Sequence, residues 1–138
     1  MTMRSVLLVE DDFFDTMTVE KSFEKFSVPH KLHTAFNGLE ALDLLLGTNG
    51  VEPIRPLPEV ILLDLNMPKM NGHEFLAELR THEELRDIPV FVTTTSEMDI
   101  DRLNTQALGV QGYIVKPLDF ENTRDLVDSM SLLETLLK

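Results

Sequence analysis

Residues 60–72 read Val-Ile-Leu-Leu-Asp-Leu-Asn-Met-Pro-Lys-Met-Asn-Gly. Val60–Leu63 is an apolar run with no polar alternation, and it stops abruptly at Asp64. A strand of that kind needs cover on both faces, the usual situation inside a parallel sheet. Working outward, similar runs stand at Val6–Val9, Val90–Val92 and Tyr113–Val115, with a weaker one, Lys31–Ala35, that alternates sides. Between them lie stretches of helical length and period: Phe13–Phe26, which places Phe13, Met17, Phe23 and Phe26 at spacings of three to six, then Leu39–Leu46, Glu74–Leu79 and the more polar Asp99–Leu108. The last, Glu121–Leu137, sets Leu126, Val127, Met130, Leu133 and Leu137 along one stripe. Gly38 and Gly72 fall near helix starts and Gly47 near a helix end. The pattern predicts (βα) five times over, an α/β fold with a parallel five-stranded sheet covered by helices on both faces.

A chain of 138 residues fits one domain, expected to span residues 1–138 with no output domain. Residues 47–59 (GTNGVEPIRPLPE) hold three prolines and two glycines, which breaks the rhythm and predicts an extended loop after the second helix. No apolar run reaches the roughly 18 residues that a membrane span needs. The N-terminal apolar stretch ends at once in Glu10-Asp11-Asp12, so a secretory leader is not expected and a cytoplasmic location is. The absence of cysteine excludes disulfides and thiolate metal sites. A formal charge of -12 with no basic stripe argues against a nucleic-acid partner.

In open parallel sheets, chemistry gathers beyond the carboxyl ends of the strands. The first strand ends in Glu10-Asp11-Asp12, the third in Asp64, the fourth in Thr93-Thr94-Thr95-Ser96 and the fifth in Lys116-Pro117. Taken singly, each has a plain explanation. Asp12 suits a helix cap, Thr93 suits strand propensity, and a lysine is usually a solvated charge. Their joint placement at one edge is what carries weight. Two carboxylates about 4 Å apart repel by roughly 4 kcal/mol at an effective dielectric near 20. A hard divalent cation removes that conflict, and an all-oxygen ligand set suits Mg²⁺. Such a cluster beside a lysine and a hydroxyl is the equipment of phosphoryl transfer, with a carboxylate able to serve as nucleophile.

The segments LLVEDD, LLDLNMPKMNG, PVFVTTTS and GYIVKP together resemble the receiver domains of two-component response regulators. The separations, 30 residues from Asp64 to Thr94 and 22 from Thr94 to Lys116, are similar to that family's. The resemblance implies a doubly wound, flavodoxin-like sheet of order 2-1-3-4-5. It also implies Asp64 as phosphoacceptor. Glu10, Asp11, Asp64 and the main-chain carbonyl of Asn66 would be the Mg²⁺ ligands, with Asp11 binding directly and Glu10 through water. A register slip by one residue would instead make Asp11 and Asp12 the acidic pair. Thr94 matches the hydroxyl that closes on the phosphoryl group, Lys116 the lysine that pairs with its oxygens, and Tyr113 the aromatic switch. Pro117 matches a proline after a cis bond.

The implied partners are a sensor histidine kinase or a histidine phosphotransfer protein, and a downstream protein target reached through the face of the fourth helix, fifth strand and fifth helix. The long loop at 47–59 is similar to that of single-domain regulators serving phytochrome-like kinases. Leu132, Leu133, Leu136 and Leu137 offer more apolar residues than one core stripe requires, which suits either a homodimer or a partly buried terminus. Such a protein is not a metabolic enzyme and catalyses only its own phosphorylation and dephosphorylation. Other classes fit less well. A flavin-binding module needs a phosphate-accepting loop after the first strand, where this chain has Asp11-Asp12-Phe13-Phe14. A haloacid-dehalogenase-type phosphatase resembles Asp-x-Asp at the first strand, whereas here Asp64-x-Asn66 ends the third. A receiver-shaped docking module that never uses its phosphate chemistry is the remaining alternative, but it gains nothing from clustering like charges.

Overall fold

The computed structural model describes residues 4–27, 30–65, 67, 69–94, 109–116, 118, 131–132 and 134–136. Strands β1 (Arg4–Val9), β2 (His30–Ala35), β3 (Val60–Asp64), β4 (Val90–Thr94) and β5 (Gly112–Val115) form one sheet in the order β2-β1-β3-β4-β5. Every neighbouring pair is parallel. Helices α1 (Phe13–Lys25), α2 (Gly38–Leu46) and α3 (Gly72–Leu79) alternate with the first strands. The predicted helix at 99–108 and most of the predicted helix at 121–137 lie outside the described residues, as do Asn66, Ser96 and Pro117. Residues 131–132 and 134–136 are helical. Among the described residues, the bond between Arg55 and Pro56 is cis.

Side chains alternate across a strand, and here the alternation sorts them into two cores. Leu7, Val9, Ile61, Leu63, Val90 and Val92 pack on one face with Leu42, Leu45, Phe75 and Leu79 of α2 and α3. Val6, Leu8, Val60, Leu62, Phe91 and Ile114 pack on the other with Val19 and Phe23 of α1 and with Leu132 and Leu136. Every residue of β3 and of β4 is buried, as expected of strands covered on both sides. Each fully buried apolar side chain contributes about 1.5–3 kcal/mol.

Helix starts are set by local hydrogen bonding. The Asp12 carboxylate accepts from the backbone N–H groups of Phe14 and Asp15 and caps α1. Asn37 caps α2 by accepting from Glu40 N–H. At α3, Asn71 accepts from Glu74 N–H while Glu74 reaches back to Asn71 N–H, a reciprocal capping box. Gly47 ends α2 at φ 72°, a left-handed conformation that favours glycine. The loop predicted after α2 is present and anchored. Ile54 is buried in the core beneath it, and Arg55 donates to the carbonyl of Leu45 at the helix end.

One expectation is corrected. Phe13 does not join the buried stripe of α1 but stands 67% exposed, with Phe14 beside it at 76%. The inward residues are Val19, Ser22 and Phe23, with Phe26 packed against the same core. The helix begins at the rim of the sheet, so its first turn has no strand beneath it.

Candidate functional site

All five strands run the same way, so their carboxyl ends share one edge. Glu10 continues the β1 ladder, donating its N–H to the carbonyl of Ala35 at 2.9 Å. Lys116 does the same after β5, its N–H reaching the carbonyl of Thr94 at 2.8 Å. Glu10, Asp64 and Lys116 sit at even positions after Leu8, Leu62 and Ile114, which places all three toward the α1 face. They are thus brought to one spot by strand parity from segments far apart in sequence.

One carboxylate oxygen from each of Glu10, Asp11 and Asp64 lies within 4.8 Å of the other two. Glu10 is only 3% exposed and Asp64 only 4%, whereas Asp11 faces solvent. The donor set fits a hard cation. Oxygen ligands about 2.1 Å from Mg²⁺ stand about 3 Å apart when adjacent and about 4.2 Å apart when opposite. Asp12 is turned to its capping role, and the cluster contains Glu10 in its place.

The Lys116 ammonium contacts Glu10 at 2.7 Å, Asp15 at 2.9 Å and Asp64 at 3.5 Å. Burial alone would depress its pKa, but the hydrogen bonds to Glu10 and Asp15 and the charge of Asp64 reverse that and hold it above the ordinary lysine range. Glu10 is also pushed up, to about 7, chiefly by burial and further by the negative charge of Asp64, against the hydrogen bond from Lys116. Both partners therefore bind their protons more tightly than usual. The causes differ: burial disfavours the charged form of Glu10, whereas carboxylate partners stabilise the charged form of Lys116.

Thr94 is fully buried at the end of β4. Strand alternation puts it with Val90 and Val92 on the α2–α3 face, where half-buried Tyr113 also packs. Tyr113 pairs with Val92, and Asp64 pairs with Thr93, so Thr94 stands one residue beyond the level of Asp64. By strand alternation the hydroxyl and the aromatic ring thus share a face of the sheet. Asp15 was not anticipated as a partner of Lys116. The only hint is its acidic character in the first turn of α1, since the two residues are 101 positions apart.

Glycine shapes the turn after β3. Gly72 donates its N–H to the carbonyl of Leu65 at 3.0 Å, and a Cβ there would lie 2.6 Å from both the Asp64 carbonyl oxygen and the Leu65 Cα. Those are backbone atoms, so relief requires moving the segment that carries Asp64. Gly72→Ala is expected to lower the free energy of unfolding by about 1–3 kcal/mol, measured by urea denaturation. An unchanged midpoint would show that the backbone yields at no cost.

No helix among the described residues is long and apolar enough to cross a membrane. The sequence matches the model of the response regulator receiver domain over residues 6–128. It is 35% identical to response regulator Rcp1 of Synechocystis, covering 94% of this chain and 86% of that protein. The Mn²⁺-bound structure of Rcp1 superposes with a TM-score of 0.76 over 98% of this chain and 95% of that one, at 34% identity. A two-component response regulator from Legionella pneumophila superposes at 0.78 with 39% identity, covering 96% of this chain and 98% of that one. The bacteriophytochrome response regulator RtBRR superposes at 0.83 with 34% identity, covering 94% and 77%. Sheet order, clustered acids and these likenesses agree: the chain belongs to the receiver domain family of two-component response regulators, signalling modules that work with histidine kinases or phosphotransfer proteins.

Proposed function

We propose that this protein accepts a phosphoryl group on Asp64 from a sensor histidine kinase or a histidine phosphotransfer protein and changes its surface in response. The observation that carries the reading is Asp64 itself, a buried carboxylate beside Glu10 and Asp11, with the Lys116 ammonium 3.5 Å from its Oδ1. Glu10, Asp11, Asp64 and the carbonyl of Asn66 would hold Mg²⁺. When bound, that ion supplies charge neutralisation for the phosphoryl oxygens. An Asp64 oxygen attacks phosphorus in line as the bond to the donor imidazole nitrogen breaks, and the imidazole leaves with the electron pair. Lys116 keeps its proton and stabilises the oxygens that gain charge. The likeness to RtBRR and the loop at 47–59 favour a phytochrome-like kinase as the donor.

The acyl phosphate brings about two negative charges and three acceptor oxygens to the edge. Thr94 donates its hydroxyl to one of them, and Tyr113, on the same face as Thr94, turns into the space released. The surface of the fourth helix, β5 and the fifth helix is then altered, and a downstream protein or a second copy of the chain reads it. Moving from about 1% to about 99% active takes roughly 5.5 kcal/mol of differential stabilisation, within reach of a few charge-assisted hydrogen bonds.

The test is intact-mass measurement after incubation with Mg²⁺ and acetyl phosphate. The mass is expected to rise by one phosphoryl group, and chelation with EDTA is expected to prevent it. An unchanged mass in Mg²⁺, together with failure to bind beryllofluoride, sinks the proposal.

A further inference from the structure

An ammonium has three N–H donors. In Lys116 one serves Glu10 Oε2 at 2.7 Å and another serves Asp15 Oδ2 at 2.9 Å. The distance to Asp64 Oδ1, 3.5 Å, is the longest of the three and exceeds the usual N–H···O range of about 2.7–3.2 Å. The lysine also sits in a small pocket between α1 and the strand ends, lined by Glu10, Asp15, Thr18, Thr93 and Leu118 and not by Asp64. Its resting position is toward the helix.

We propose that Asp15 is a positioning residue for phosphoryl transfer: it holds Lys116 toward α1, and the ammonium must leave it to engage a phosphoryl group on Asp64. This inference rests on the acceptor reading above. Asp15, rather than Glu10, is the partner that gives way. Its side chain is 33% exposed and is hydrated once released, whereas that of Glu10 is 2% exposed and would be stranded as a buried charge. The phosphoryl group carries more charge than the single carboxylate it competes with, so the exchange runs forward after transfer. Before transfer, the Asp15 contact stabilises the resting arrangement and slows uptake. With acetyl phosphate the step forms the bond from Asp64 oxygen to phosphorus and breaks the one from phosphorus to the acetate oxygen. Acetate leaves with the electron pair, and Lys116 stays protonated throughout.

The experiment compares phosphoryl uptake from acetyl phosphate by the wild type, Asp15→Asn and Asp15→Glu at saturating Mg²⁺, with thermal unfolding of each unphosphorylated protein. Asp15→Asn is expected to take up phosphate about two- to five-fold faster, the range that a partly exposed ion pair supports. Asp15→Glu keeps the charge and is expected to match the wild type. If Asp15 merely staples α1 to the end of β5, Asp15→Asn melts earlier with no gain in rate, which overturns the proposal. An equal rise in Asp15→Glu overturns it as well. A wild type that takes up no phosphoryl group removes the acceptor reading and this one with it. A phosphorylated wild type with an Asp15→Asn variant no faster removes only the role of Asp15.

Discussion

Asp64→Asn is expected to abolish phosphoryl uptake completely while leaving the fold intact. The amide oxygen of asparagine is a poor nucleophile and cannot give a stable acyl phosphate, so intact mass after Mg²⁺ and acetyl phosphate is expected to stay at the unmodified value. Stability is the informative control. The substitution loses the 3.5 Å contact with Lys116 but also removes a negative charge that lies among Glu10 and Asp11. Repulsion between bare carboxylates about 4 Å apart is worth up to roughly 4 kcal/mol at an effective dielectric near 20, and Asp64 already raises the proton affinity of Glu10. The metal-free variant is therefore expected to melt at or above the wild-type temperature. Phosphoryl uptake that persists in Asp64→Asn would move the acceptor elsewhere. A variant that melts well below the wild type would make lost uptake a folding defect rather than a chemical one.

Lys116→Met is expected to be strongly pH-dependent in its cost. In the metal-free wild type burial pushes the Glu10 pKa up to about 7, against 4.5 for an exposed glutamate. The folded chain thus binds more protons than the unfolded chain between those values, and this group's contribution to stability falls as pH rises through the window. Removing Lys116 takes away both the hydrogen bond and the charge that lower the Glu10 pKa, so the folded pKa climbs further above 7 and the loss continues to higher pH. At about pH 5, Glu10 is protonated with or without the lysine, and the variant is expected to lie close to the wild type. At about pH 8 the wild type has released the Glu10 proton while the variant still holds it, and that one unit of difference amounts to an expected extra cost of about 1.4 kcal/mol. Urea denaturation in EDTA at the two pH values reads the difference directly. An equal cost at both would mean that Glu10 is not the group left uncompensated.

The strands were legible because of where they lie. Val60–Leu63 and Val90–Val92 are buried on both faces, so selection for apolar side chains left no polar alternation to confuse the reading. β2 was the weakest because its residues are mostly exposed or half-buried, with only Ala35 buried, whereas β5 at the other edge of the sheet is mostly buried. Local periodicity failed at Phe13, since the pattern of apolar residues along a helix does not say where the sheet beneath it stops. The acids and the lysine were visible as strand-end residues. Their order in the sheet was not, because nothing in Val6–Val9 or Val90–Val92 names the neighbouring strand. That order came from the family resemblance and was then observed.

Read alone, the amino-acid order determined the alternation of strand and helix, the cap at Asp12, and the placing of Glu10, Asp11, Asp64 and Lys116 at strand ends. These follow from interactions within a few residues or from a periodicity of two or 3.6, which any stretch carries in itself. Only the tertiary structure decided that Lys116 leans toward Asp15, that Thr94 and Tyr113 share the α2–α3 face, and that Gly72 admits no Cβ against the Asp64 carbonyl. Each of those depends on which side of a strand faces which helix, and on distances between segments up to 101 residues apart. Such distances are set by packing the whole sheet rather than by any local preference.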